Sequence, residues 1–138
     1  MKKDTAKALA LLDAEGYTCV VYRDDAVYTA TERGVMPRLS WLEAGLDLGE
    51  FSAADRVVGR ATAFLYCLLG VKAVSAGVKS RPAAQVLRSH GIAAEAGQLV
   101  EGIINRKGTG PCPFEAAVID ITDAGEALAA IRAKLAQM

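Results

Sequence analysis

Cys112 and Glu115 are the two residues whose types and spacing most directly suggest chemistry. Between them stand Pro113 and Phe114. Proline suits the first turn of a helix, so the spacing predicts Cys112 at an N-cap, where unpaired N–H groups and the helix dipole favour an anion. A thiolate held there would be a nucleophile. Glu115, three residues on, could close a capping-box contact onto the residue-112 amide or act as a general base. The plainer alternative makes Cys112 a weak cap and Glu115 a favourable first-turn acid. Just upstream, Asn105, Arg106 and Lys107 run into Gly108-Thr109-Gly110. Glycines let N–H groups turn toward an anion and the cations supply charge, so the segment could hold phosphate or carboxylate. It is neither a P-loop nor a dinucleotide fingerprint, and a turn with solvated charges has the same composition.

A second group of candidates, Asp55, Arg56, Gly59, Arg60 and Thr62, frames the start of an apolar run from Ala61 to Leu69. Gly59 permits close backbone approach. Arg60 in a first helical turn stands at the dipole end that disfavours a cation, which points to service of an anion. An exposed arginine bridged to Asp55 is the alternative. Gly34 with Arg33 makes a weaker turn of the same kind, and His90 before Gly91 fits a helix C-terminus. One histidine and three scattered cysteines offer no pair at zinc-finger spacing, and no metal or other cofactor is expected.

These residues need elements to position them. Asp4 or Thr5 can cap a first helix to about Glu15, stopped by Gly16. Tyr17 to Tyr22 and Ala26 to Thr31 read as a hairpin across Arg23-Asp24-Asp25. Pro37 opens a short helix to Ala44 in which Leu39, Trp41, Leu42 and Leu46 have core spacing. Leu48 to Ala54 reads as a loop and Asp55 to Arg60 as a very short apolar segment. Ala61 to Leu69, apolar nearly all round, predicts a buried helix containing Cys67 and ended by Gly70. Val71 to Val78 is a strand, Ser80-Arg81-Pro82 starts a helix ending near Gly91, and Ile92 to Ala96 and Leu99 to Ile104 are two short segments. After Pro113 a helical turn follows, Val118 to Ile121 is strand or helix, and Asp123 caps a last helix to Gln137. The order predicts an α/β fold, a three-layer α/β/α sandwich with its sheet between helices.

The totals agree with one domain spanning residues 1–138 and able to bury its own core. Lys plus Arg equals Asp plus Glu at 16 each, so no net field draws the chain to nucleic acid or to an anionic membrane. No apolar run approaches the roughly 20 residues of a membrane span, and the cysteines read as free thiols of a reducing, cytoplasmic compartment.

The element order, with Asp55-Arg56-Val57-Val58-Gly59-Arg60-Ala61 opening one helix and Cys112-Pro113-Phe114-Glu115 the next, resembles the cytidine-deaminase-like superfamily. With Gly70-Val71, Gly91-Ile92 and Ile104 to Gly110, the chain is similar to a small group of uncharacterised prokaryotic proteins of that superfamily that lack its zinc signature. Zinc deaminases place His-x-Glu at the first helix and Pro-Cys-x-x-Cys at the second. The resemblance puts Arg60 and Thr62 at the His and Glu positions and Pro111-Cys112 at the second element, so only one metal ligand remains. Arg60 would set a permanent charge where the cation belongs. Zinc-dependent deamination is therefore not expected. Two helix N-termini joined by Arg60 and Arg106 instead suggest a pocket for a small anionic ligand, phosphorylated or nucleotide-like. A metal-independent enzyme using Cys112 and Glu115 is the alternative, and outer helices pairing between subunits as a homo-oligomer a third possibility.

Overall fold

Five strands are formed among the described residues, and the helices between them fix which strand ends meet. The structure, a computed structural model, describes residues 9–10, 12–13, 16–24, 26–32, 34–103, 108 and 112–137. The expected cap at Asp4 or Thr5, most of the first helix and part of the hairpin turn lie outside the described residues. Leu9, Ala10, Leu12 and Asp13 are helical. The β-formers Cys-Val-Val-Tyr-Arg make β1 (Cys19–Arg23), which pairs antiparallel with β2 (Ala26–Ala30), Cys19 opposite Ala30. Pro37 sits in the first turn of α1 (Met36–Glu43). There follow β3 (Ser52–Val58), α2 (Arg60–Leu69), β4 (Ala73–Ser80), α3 (Arg81–Ser89), β5 (Ala93–Val100), α4 (Pro113–Ala117) and α5 (Ala124–Ala136).

Local signals account for most helix ends. Gly70 ends α2 in the left-handed region at φ 83°, a conformation that costs glycine nothing. Ser80 caps α3 by accepting the Ala83 N–H at 3.1 Å, and Asp123 caps α5 by accepting that of Glu126 at 2.9 Å. His90 is the C-cap of α3, its Nδ1 2.9 Å from the Val86 carbonyl oxygen.

The strands form one mixed sheet in the order β2-β1-β3-β4-β5. β1 runs antiparallel to β3, with Cys19 opposite Asp55, whereas β3, β4 and β5 are parallel. Helices cover one face over a core that includes Val58, Phe64, Leu65, Tyr66, Val74 and Ile131. On the other face Leu12 packs on Val20 and Ala54, completing an α/β arrangement with helix on both sides of the sheet.

Three expectations about elements need correction. The stretch divided into a loop and a short segment contains β3, the strand between β1 and β4. Its Ser-Ala-Ala-Asp-Arg start lacks the β-branched and aromatic residues that announce a strand, and its neighbours on both edges supply the ladder. The two segments after Ile92 are one eight-residue strand, β5, which keeps a single parallel register with β4 from Ala93 to Val100. Val118 to Asp120 is a turn, neither strand nor helix.

The rows Asp55–Ala76–Ala96 and Val57–Val78–Gln98 cross the three parallel strands, and between them lie Arg56, Gly77 and Gly97. A Cβ on Gly77 would stand 2.8 Å from the Arg56 carbonyl oxygen, which belongs to backbone and cannot swing away. Gly77→Ala is therefore expected to lose about 1–3 kcal/mol by overpacking, read as a lower urea midpoint. Gly102→Ala, where a Cβ meets nothing within 4 Å, should change it by less than about 0.5 kcal/mol.

Candidate functional site

The parallel strands end where β1 begins, and the chain there turns two ways: through α2 and α3 toward β5, or to β1 and β2 on the other side of β3. Such a reversal leaves a crevice beyond the strand ends, where α/β sheets commonly bind ligands. A cavity of about 390 Å³ lies there. Thr18 before β1, Glu32 after β2 and Asp55, Arg56 and Val57 at the end of β3 line one part of it. Gly34, Val35 and Arg38 contribute the α1 side, Gly59, Ala61 and Thr62 the α2 side, and Ile103, Cys112, Phe114 and Glu115 the rest.

Glu115 decides the geometry of the α2 end. Its Oε1 accepts the Arg60 N–H at 2.7 Å and its Oε2 the Ala61 N–H at 2.9 Å. A carboxylate on the free N–H groups of a first turn is the favourable partner for that helix end. The expected capping box onto residue 112 is not formed: the Cys112 N–H donates instead to the Ile103 carbonyl at 2.9 Å. Cys112 is the N-cap of α4, as its Pro113 predicts, and its side chain makes no capping hydrogen bond. Gly59 is required by this contact, since a Cβ there would lie 2.5 Å from Glu115 Oε1.

Arg60 points elsewhere. Its Nε donates to the Val118 carbonyl at 3.1 Å, Nη1 to Pro82 at 3.4 Å and Nη2 to Ile121, while the guanidinium stacks over Phe64 at 5.2 Å. The bridge to Asp55 weighed for it is not formed, because Asp55 pairs with Arg38. Carbonyls of the connection after α4 and of the first turn of α3 collect the cation, which is absent from the cavity lining.

Asp55 pairs instead with Arg38, whose Nη1 lies 2.9 Å from Asp55 Oδ2, and the pair is buried with side chains 4% exposed. The Tyr66 hydroxyl donates to the same oxygen at 2.6 Å, the Val57 N–H to Oδ1 at 3.3 Å, and Arg38 Nη2 to the Gly34 carbonyl. Burial pushes the Asp55 carboxyl upward, against the opposing pull of Arg38 and Tyr66, and burial beside Asp55 pushes the Tyr66 phenol up. Arg56 is held by the Tyr17 and Leu12 carbonyls at 2.7 and 3.0 Å.

Six of the residues singled out from sequence thus line one cavity: Asp55, Arg56, Gly59, Thr62, Cys112 and Glu115. Gly108 has a left-handed φ of 70° and is not among the lining residues. Asn105, Arg106 and Gly110, with Arg33, lie outside the described residues. Sequence reasoning missed Arg38. A signal existed: Val35, Arg38, Leu39 and Leu42 have helical core spacing, and an arginine on a buried face is the anomaly that marks a paired charge. Among the described residues, no three His, Cys, Asp or Glu side chains gather as a metal site, and no helix is long and apolar enough to cross a membrane.

A family model for a domain of unknown function, TM1506 (DUF1893), matches residues 7–135. The chain belongs to this family. The DUF1893 fold is shared with the crystal structure of a DUF1893 family protein (TM1506) from Thermotoga maritima, at 22% identity over 100% of this chain and 92% of that one, TM-score 0.86. A diaminohydroxyphosphoribosylaminopyrimidine deaminase/5-amino-6-(5-phosphoribosylamino)uracil reductase from the same organism matches with a TM-score of 0.45 and 18% identity, over 67% of this chain and 34% of its own. Among curated proteins nothing matches.

Two sets of measurements check the site geometry of this DUF1893 member. Glu115→Ala should cost about 1–2 kcal/mol by removing the α2 cap. Arg38→Met should cost more, about 3–5 kcal/mol, by leaving Asp55 buried without its cation, and adding Asp55→Leu should recover part of the loss. Both are read from urea unfolding. Burial holds the Cys19 and Cys67 thiols up at about 12, so at pH 8 they stay protonated. Iodoacetamide at pH 8 is expected to label Cys112 first, as peptide mapping would show, and the other two only once denaturant is added.

Proposed function

We propose that this protein binds a small organic ligand in the cavity at the end of β3. The observation that carries the reading is its position and make-up together: a crevice at the reversal of the sheet, apolar along Val35, Val57, Ile103 and Phe114, into which polar groups from four separate elements converge. Small-molecule sites have this composition, an apolar body for burial with a few polar groups for orientation. The volume of about 390 Å³ falls in the range of such sites.

The anionic, phosphorylated or nucleotide-like ligand expected from the sequence needs donors that the protein has not already used. At the α2 N-terminus that position is taken by Glu115. Arg60 serves carbonyls outside the cavity. The anionic class therefore rests on Asn105, Arg106 and Gly110, outside the described residues. Catalysis by Cys112 with Glu115 as base is the second reading. It is favoured by Cys112 being the one cysteine in the lining, and weakened because each Glu115 oxygen already accepts a helix N–H.

A thermal-shift survey of nucleotides, sugar phosphates, carboxylates and amines, paired with the rate of Cys112 alkylation, tests ligand binding. A ligand seated in the cavity should raise the unfolding temperature and slow alkylation together. Arg60→Ala should lower stability yet leave affinity within about twofold, since its guanidinium is structural. A survey in which no compound protects Cys112 would refute the reading.

A further inference from the structure

We infer that the cavity selects a small organic cation, a protonated amine or amidinium carried on a flat apolar body; this rests on the ligand-binding reading above. The inference follows from asking which polar groups of the lining the protein has left without partners. Both lining guanidiniums are engaged, Arg38 by Asp55 and the Gly34 carbonyl, Arg56 by the Tyr17 and Leu12 carbonyls, and Arg38 Nε, a donor without a partner among the described residues, is itself buried. The Thr18 hydroxyl donates to the Ala30 and Glu32 carbonyls. Besides that buried Nε, three groups of the lining have no side-chain partner among the described residues: the Thr62 hydroxyl, the Cys112 thiol and the Glu32 carboxylate.

Thr62 is the informative one. The residue is 8% exposed and lines the cavity, and its hydroxyl makes no hydrogen bond to another side chain among the described residues. An occupant of the cavity can therefore accept from it or donate to it. Glu32 stands exposed at the rim, free to meet a positive charge. Glu115 adds a second carboxylate whose two oxygens each accept one N–H and have lone pairs to spare. A ligand anion would meet these acceptors and no free cation of the described lining. An N–H-bearing cation would meet Glu32 by charge and the acceptors by hydrogen bonds, while its flat body lies against Val35 and Phe114.

Three probes with one ring and three charges test this: benzamidine, benzamide and phenyl phosphate. Each is titrated into the full chain, with its Kd and its effect on Cys112 alkylation recorded. Benzamidine is expected to bind and protect Cys112, benzamide more weakly, and phenyl phosphate least. Glu32→Gln, an exposed substitution that should leave the fold intact, is expected to weaken benzamidine about twofold to fivefold, as loss of one rim charge does, and to leave benzamide unchanged. Thr62→Val should weaken both. Phenyl phosphate binding as well as benzamidine, or benzamidine indifferent to Glu32→Gln, would overturn the inference. If another compound of the wider survey protects Cys112 and benzamidine does not, the cation class fails and the ligand site stands. If nothing protects Cys112, both fail.

Discussion

The carboxylate of Glu115 on the first two N–H groups of α2 is the contact around which the rest of the site is arranged. It joins residues 55 and 54 positions apart and works in both directions. While α4 sends a carboxylate to the positive end of α2, the first residue of α2 sends a guanidinium to the carbonyls at the end of α4. The N–H groups of the α2 start are thus capped, and the connection after α4 is tied back to the first residue of α2, by one clasp. Gly59 must be glycine for the clasp to close, and Cys112 and Phe114 reach the cavity because α4 is held there.

The opposite wall depends on a second interaction of a different kind. Arg38 and Asp55 are both withdrawn from water, and such a pair is tolerated only when every lone pair and proton finds a partner. Tyr66, Gly34 and the Val57 amide supply most of them, and Arg38 Nε is left without one. The pair ties the start of α1 to β3 in a single orientation, which keeps the Gly34 turn at the cavity wall. Together, clasp and ion pair use up the charges that the sequence displays most prominently. The lining groups left without a side-chain partner are quieter in the sequence: a hydroxyl, a thiol and one rim carboxylate.

Much of the fold was legible because it is written in local patterns. Ser80 and Asp123 cap the helices they were expected to cap, Gly70 ends α2, and Pro113 sets Cys112 at an N-cap. β3 was not legible. Ser52, Ala53, Ala54 and Asp55 carry no strand signal, because the pairing of β3 with β1 on one side and β4 on the other makes it a strand, and those partners come from distant sequence. The candidate site divides in the same way. That residues near 59 and 112 would share a pocket was implied by the resemblance and not by local spacing, while Arg38 was missed because its partner Asp55 sits on a strand that the sequence conceals.

The sequence by itself determined which of the described segments become helices and where most of them begin and end. Those features depend on interactions within a few residues, so composition and spacing suffice to set them. Only the tertiary structure decided what the charged residues of the site do. Glu115 could reach an amide three residues away or two amides on another helix, and Arg60 could face a ligand or a carbonyl cluster. Local spacing shows only the first of each pair. The choice was made by which unpaired backbone groups the packed helices and strands brought within hydrogen-bond distance, and that depends on the whole chain.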